Sequence, residues 1–172
     1  MDNFDKSLAL VLESEGGWTG SHGLAGDSGG ETNLGITKSV YEDWVGHPVE
    51  SMKGLTKDDV APIYRAKYWM ACYAPQLPMG LDYAVFDGAV NMGVGRSIKL
   101  LQQSLGCVPD GFIGKITLEL IEQKNIADLI NQLMDERENF YKGLKNFPAF
   151  GKGWLSRVYF VRSNAIQMAK NG

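Results

Sequence analysis

The sequence is short of the residues that staple or metallate small proteins. It has two cysteines, Cys72 and Cys107, and two histidines, His22 and His47, in 172 positions. The cysteines lie far apart with no CxxC spacing, which argues against both a zinc cluster and a disulfide framework and leaves two reduced, partly buried packing residues as the expectation. His22 and Asp27 briefly suggest the first ligand segment of a zinc site, but the spacing is too short and no second histidine motif follows. Neither cysteine opens a helix with a recognisable histidine partner, so a cysteine nucleophile is not expected either.

A basic excess is missing too. The formal net charge is -3 and no basic run occurs, so the electrostatic footprint of a nucleic-acid binder is absent. No uninterrupted apolar run approaches the roughly 18 to 20 residues of a membrane span, and no stable membrane association is expected. The first residues, "MDNFDKSLALVLESEGG", carry an acid at position 2 and charges every few positions, and do not read as a signal peptide. Synthesis in a cytoplasm is the resulting expectation, with release needed to reach any external target.

What is present is helical periodicity. With 44% hydrophobic residues the chain can build a real core. The patterns predict helices over 4–15, after Thr37 as a cap, after Asp58 or Asp59 with Pro62 in the first turn, through "LDYAVFDGAVNM" to Gly93, and through "RSIKLLQQSL" to Gly106. A Pro-Asp-Gly turn precedes another helix entry. Two longer helices, about 125–144 and 154–169, follow, with a Gly, Phe and Pro-rich loop between them. Only residues 25–36 read as extended or hairpin-like. The fold class is mainly α (α+β) with one small β-hairpin near the active site, and a soft boundary at Gly93–Gly95 divides residues 1–94 from 95–172.

The acids of the first 31 residues are not equivalent. On a helical wheel with Phe4 at zero, Leu8, Val11 and Leu12 fall near about 40°, 340° and 80°, Glu15 near about 20° and Glu13 near about 180°. Glu15 therefore continues the apolar stripe while Glu13 faces water. A carboxylate aimed inward resists ionisation, and a helix C-terminus acts in the same direction, as a general acid near neutral pH requires. The alternative is a buried glutamate satisfied by Arg65, Arg96 or Arg157. Asp27 sits in the polar, Gly-rich "GLAGDSGGETNLG", where it reads either as a turn residue or as an ionised partner to Glu15. Two carboxyls in contrasting surroundings are the pattern of glycoside hydrolysis. Glu31 is expected to be a solvated surface residue, and Thr32 offers a hydroxyl that can hold a water. Asp82 and Asp87 read as helix-surface acids, with Asp87 near enough to the apolar face to pair with an arginine.

Other residues have two readings each. Tyr64, Tyr68, Trp69 and Tyr73 fall at helical spacings that suit either a sugar-binding wall or a buried stripe. Asn91 offers an amide either to an N-acetyl group or to a neighbouring helix. Asp110 and Gly111 read first as a turn, and second as a glycan contact.

The motifs "ESEGGW" and "DSGGETNLGIT" resemble, in order and spacing, the N-terminal signature of glycoside hydrolase family 108, the phage endolysins and related muramidases. "DYAVFDGAVNMGVGR" is similar to the family's Asn-x-Gly-x-Gly segment, and "VPDGFIGKITLELI" and "GWLSRV" extend the likeness over residues 8–162. Trp18 stands where the family more often has Tyr, and Ser28 where it often has Pro. The resemblance implies a lysozyme-like helical fold with residues 1–94 as catalytic lobe and 95–172 as a peptidoglycan-binding-like lobe packed on it. It implies an N-acetylmuramidase for bacterial cell lysis with Glu15 as the catalytic acid. Transfer to Asp27 and Thr32 rests on a more distant likeness to phage-type lysozymes. Trp18, Asn33, Tyr68, Trp69 and Asn91 are the expected substrate contacts. No metal or other cofactor is expected, the partner is the peptidoglycan glycan strand, and a monomer acting in the periplasm after holin-dependent release is the expectation. A lytic transglycosylase and a non-enzymatic peptidoglycan-binding or secretion-associated module are the alternatives.

Overall fold

A computed structural model describes residues 3–15 and 31–172. Trp18, His22, Asp27 and the glycines at 29 and 30 lie outside the described residues. Among the described residues there are eight α-helices and one two-stranded sheet, so the class is mainly α with a small hairpin, consistent with a lysozyme-like fold. The chain divides into two compact units, residues 5–67 and residues 1–4 with 68–172.

In the first unit, α1 (Phe4–Glu15) is amphipathic, with Leu8 and Val11 buried and Glu13 exposed as the wheel requires. The hairpin pairs β1 (Thr32–Asn33) with β2 (Ile36–Thr37), Thr32 opposite Thr37 and Asn33 opposite Ile36. Its two turn residues, Leu34 and Gly35, both have positive φ, 49° and 74°, the primed turn whose twist matches that of the strands. Thr37 then caps α2 (Lys38–Val45), accepting from the Val40 amide at 3.4 Å.

The third helix, α3 (Lys57–Tyr64), starts earlier than the sequence indicates. Its cap is Thr56, in a reciprocal box with Asp59, whose Oδ2 accepts from the Thr56 amide at 2.7 Å and hydroxyl at 2.6 Å. These bonds hold the Asp59 carboxyl below its ordinary value. Pro62 consequently lies inside the helix and not in its first turn. It lacks an amide for the preceding turn, and the chain continues as a π-helical segment over Arg65–Met70.

The second unit is built around α4 (Leu81–Met92), whose residues from Leu81 to Ala89 are all buried. It packs with α5 (Val94–Leu105), α7 (Ile126–Lys142) and α8 (Phe147–Asn171), while α6 (Lys115–Glu122) packs on α5. Two glycines permit close approach. A Cβ on Gly88 would lie 2.5 Å from Ser97 Oγ, and one on Gly80, at φ 88°, would lie 2.3 Å from the Ala165 carbonyl oxygen. Phe4, Trp69 and Phe86 form an aromatic cluster with centroids 5.2 to 6.0 Å apart.

Several expectations change here. Asp82 and Asp87 are buried, not surface acids. Asp82 Oδ1 accepts from the amides of Gly80 and Tyr83 and from Asn3 Nδ2, fixing the start of α4. Asp87 pairs with Arg137 and Arg157. The supposed loop before 154 is helical, because α8 begins at Phe147 with Pro148 in its first turn, where a missing amide costs nothing. Asp110 and Gly111 do form a turn. Gln102 holds it, its Nε2 donating to Asp110 at 2.7 Å and its Oε1 accepting from Gly111 at 2.9 Å. Both cysteines are free thiols, and burial pushes Cys72 up to about 12.

Candidate active site

Glu15 is the last residue of α1 and is half-buried, while Glu13 two positions earlier is exposed. The hairpin turn lies against its side chain. A Cβ on Gly35 would stand 3.2 Å from both Cβ and Cγ of Glu15 and 2.5 Å from the Tyr64 hydroxyl. Only a residue without a side chain fits there, and the positive φ of Gly35 independently favours glycine. Tyr64, itself buried on α3, donates to the Leu34 carbonyl at 2.8 Å and so ties the turn down beside Glu15. A helix end, a hairpin turn and a tyrosine from a third element thus meet beside the Glu15 side chain.

The strand pleat separates the next two candidates. Adjacent residues on a strand face opposite sides. Asn33 is buried and gives its amide to the Met52 carbonyl at 2.8 Å, which commits it to the hairpin and corrects its expected role as a substrate contact. Thr32 is half-buried on the other side of the pleat. Glu31 is not the solvated residue expected. Its carboxylate accepts from Ser51 Oγ at 2.7 Å and the Met52 amide at 2.9 Å, anchoring the 51–52 segment to the hairpin. Trp18 and Asp27 lie outside the described residues.

Among the residues of the second unit, Trp69 is 1% exposed, with edge-on contacts to Phe4 and Phe86. Its ring is enclosed by other rings, so the core reading replaces the expected substrate contact. Tyr68 is half-buried on the π-helical segment. Asn91 is exposed at the end of α4, and its Oδ1 accepts from the Tyr141 hydroxyl. Tyr64 emerges as a site residue that helical spacing alone left between cleft and core. Tyr141 and Arg137 were not visible as site residues, because their partners lie about fifty positions away in sequence. Among the described residues no group of three or more His, Cys, Asp or Glu side chains is placed to hold a metal ion.

A helical fold with a carboxylate held against a small hairpin is the arrangement of a lysozyme-like glycoside hydrolase, and the comparisons agree. Residues 8–93 match the sequence model of the family Glycosyl hydrolase 108. A structure entitled "Structure of Brucella abortus SagA" is similar at 39% identity and a TM-score of 0.83, over 97% of this chain and 95% of that one. No curated protein matches. The chain belongs to the glycosyl hydrolase 108 family and is a glycoside hydrolase that acts on peptidoglycan. The family match ends at residue 93, next to the boundary read from the sequence, whereas the compact units divide at 67 and 68.

Proposed function

We propose that the chain is an N-acetylmuramidase that cleaves the β-1,4 bond between N-acetylmuramic acid and N-acetylglucosamine. Glu15 protonates the glycosidic oxygen. Asp27 stabilises the oxocarbenium-like state or, with Thr32, positions the attacking water. The observation that carries the reading is the placement of Glu15, half-buried beside Gly35 of the hairpin turn inside the segment matched to the family. A rigid support matters for this chemistry, since a proton donor acts only when it is held within hydrogen-bonding reach of the leaving oxygen. The same reading makes the protein an endolysin: made in the cytoplasm, it reaches the wall from the periplasm once the inner membrane is opened, and lyses the cell.

Replacing Glu15 by Gln keeps the shape and removes the proton. Clearing of permeabilised Gram-negative cells should slow by about 100-fold or more. A variant that clears at the wild-type rate would remove Glu15 from the mechanism.

A further inference from the structure

The amide of Asn91 is oriented from the protein core. Asp87 is fully buried, and Arg137 Nη1 lies 2.7 Å from its Oδ1. A guanidinium can only donate, so the next link has a fixed direction: Arg137 Nε donates to the Tyr141 hydroxyl oxygen at 3.1 Å. That oxygen is then an acceptor, and its own proton goes to Asn91 Oδ1. Asn91 has its acceptor committed inward, so its two Nδ2 hydrogens are what it offers to the surface, where the residue is exposed.

Aromatic faces continue from the same tyrosine. The Tyr141 ring stacks on Trp154 at 5.3 Å and 29°, and Trp154 neighbours Phe150 at 5.8 Å and 33°. Phe150 is 54% exposed and Trp154 half-buried, one helical turn apart on α8. A purely apolar partner would leave the Asn91 donor unpaired on binding, and a purely polar one would leave the rings in water. A 2-acetamido sugar satisfies both, with a carbonyl oxygen on its acetamido group and an apolar C–H face on its ring.

We infer that Asn91, Trp154 and Phe150 form a binding site for the N-acetylated sugars of a glycan strand. Asn91 Nδ2 donates to the acetamido oxygen, and the rings of α8 take the sugar's C–H face. Tyr141, Arg137 and Asp87 are positioning residues that keep the amide donor-outward. The inference rests on a glycan being the substrate class, and on no step of the chemistry assigned to Glu15.

The test uses the full chain carrying Glu15→Gln, titrated with N,N′,N″-triacetylchitotriose and separately with the fully de-N-acetylated trimer. The Asn91 side-chain amide and Trp154 indole resonances are followed. Both should shift saturably with the acetylated trimer and stay put with the other. Asn91→Ala and Tyr141→Phe, the latter keeping its ring, should each weaken binding about tenfold, the effect of one lost hydrogen bond. Equal binding of the two trimers, unmoved Asn91 and Trp154 resonances, or unchanged affinity in Asn91→Ala would overturn the assignment. Asn91 is a surface residue, so its variant decides the matter even if Tyr141→Phe fails to fold. Wall cleavage to reducing muramic ends without any Asn91 effect would remove this site and leave the muramidase reading intact; trimer binding through Asn91 without cleavage would do the reverse.

Discussion

Gly35 shows how one residue serves the site through what it lacks. Its φ of 74° lets the two-residue turn close, and its missing Cβ leaves room for Glu15 and for the Tyr64 hydroxyl. Gly35→Ala should therefore lower stability by at least about 1 kcal/mol in urea denaturation, since alanine is strained at positive φ. It should also lower kcat, because the added methyl must displace either Glu15 or Tyr64. Wild-type kcat in that variant would show that the turn does not hold the carboxylate. At this scale the helical wheel was sufficient to separate Glu15 from Glu13, because both sit on one regular helix. It was blind to Glu31 and Asn33, whose partners at 51 and 52 come from a loop about twenty residues away. It was blind to Trp69 for a related reason. Spacing says which residues share a helix face, and only tertiary packing against Phe4 and Phe86 says whether that face meets solvent.

The helices themselves were largely legible wherever a cap or a glycine marked their ends. α4 and α5 end where Gly93 and Gly106 follow them, and Thr37 caps α2 as expected. Pro62 and the 147–153 stretch misled because proline and glycine were read as breaks; in the structure the helix accommodates Pro62 in mid-course, and Pro148 opens α8. The element with most at stake is α4, which carries Asp87 into the core. Burial by itself would push the Asp87 carboxyl up, but the guanidiniums of Arg137 and Arg157 outweigh it and hold the carboxyl below its ordinary value of 3.8. A depressed folded pKa contributes stability that is complete above the unfolded value and is lost as pH falls through the folded one. Urea midpoints should accordingly fall as pH drops below about 4, and Asp87→Asn should flatten that acid limb. An unchanged limb would mean that other carboxylates dominate it. Arg137→Leu, measured at pH 7, should cost on the order of 3 kcal/mol, near the low end for breaking a buried pair because Arg157 still faces the carboxylate.

For the whole molecule, the sequence places its division at Gly93–Gly95, where two glycines interrupt the helical pattern. The compact units divide at 67 and 68. The reason is α4, buried on every side from Leu81 to Ala89, which packs with α5, α7 and α8 and so belongs with the C-terminal helices. A glycine between helices marks a bend in the chain; only packing decides whether that bend is also a boundary. Chemistry was legible in the N-terminal motifs, while the buried Asp87–Arg137–Tyr141 relay was not, its members being spread over 55 positions by sequence number. The central claim is the bond that is cut. Purified sacculi digested with the wild-type chain, reduced with borohydride and analysed by mass spectrometry, should yield fragments ending in muramicitol. Fragments ending in glucosaminitol, or in 1,6-anhydromuramic acid, would contradict it.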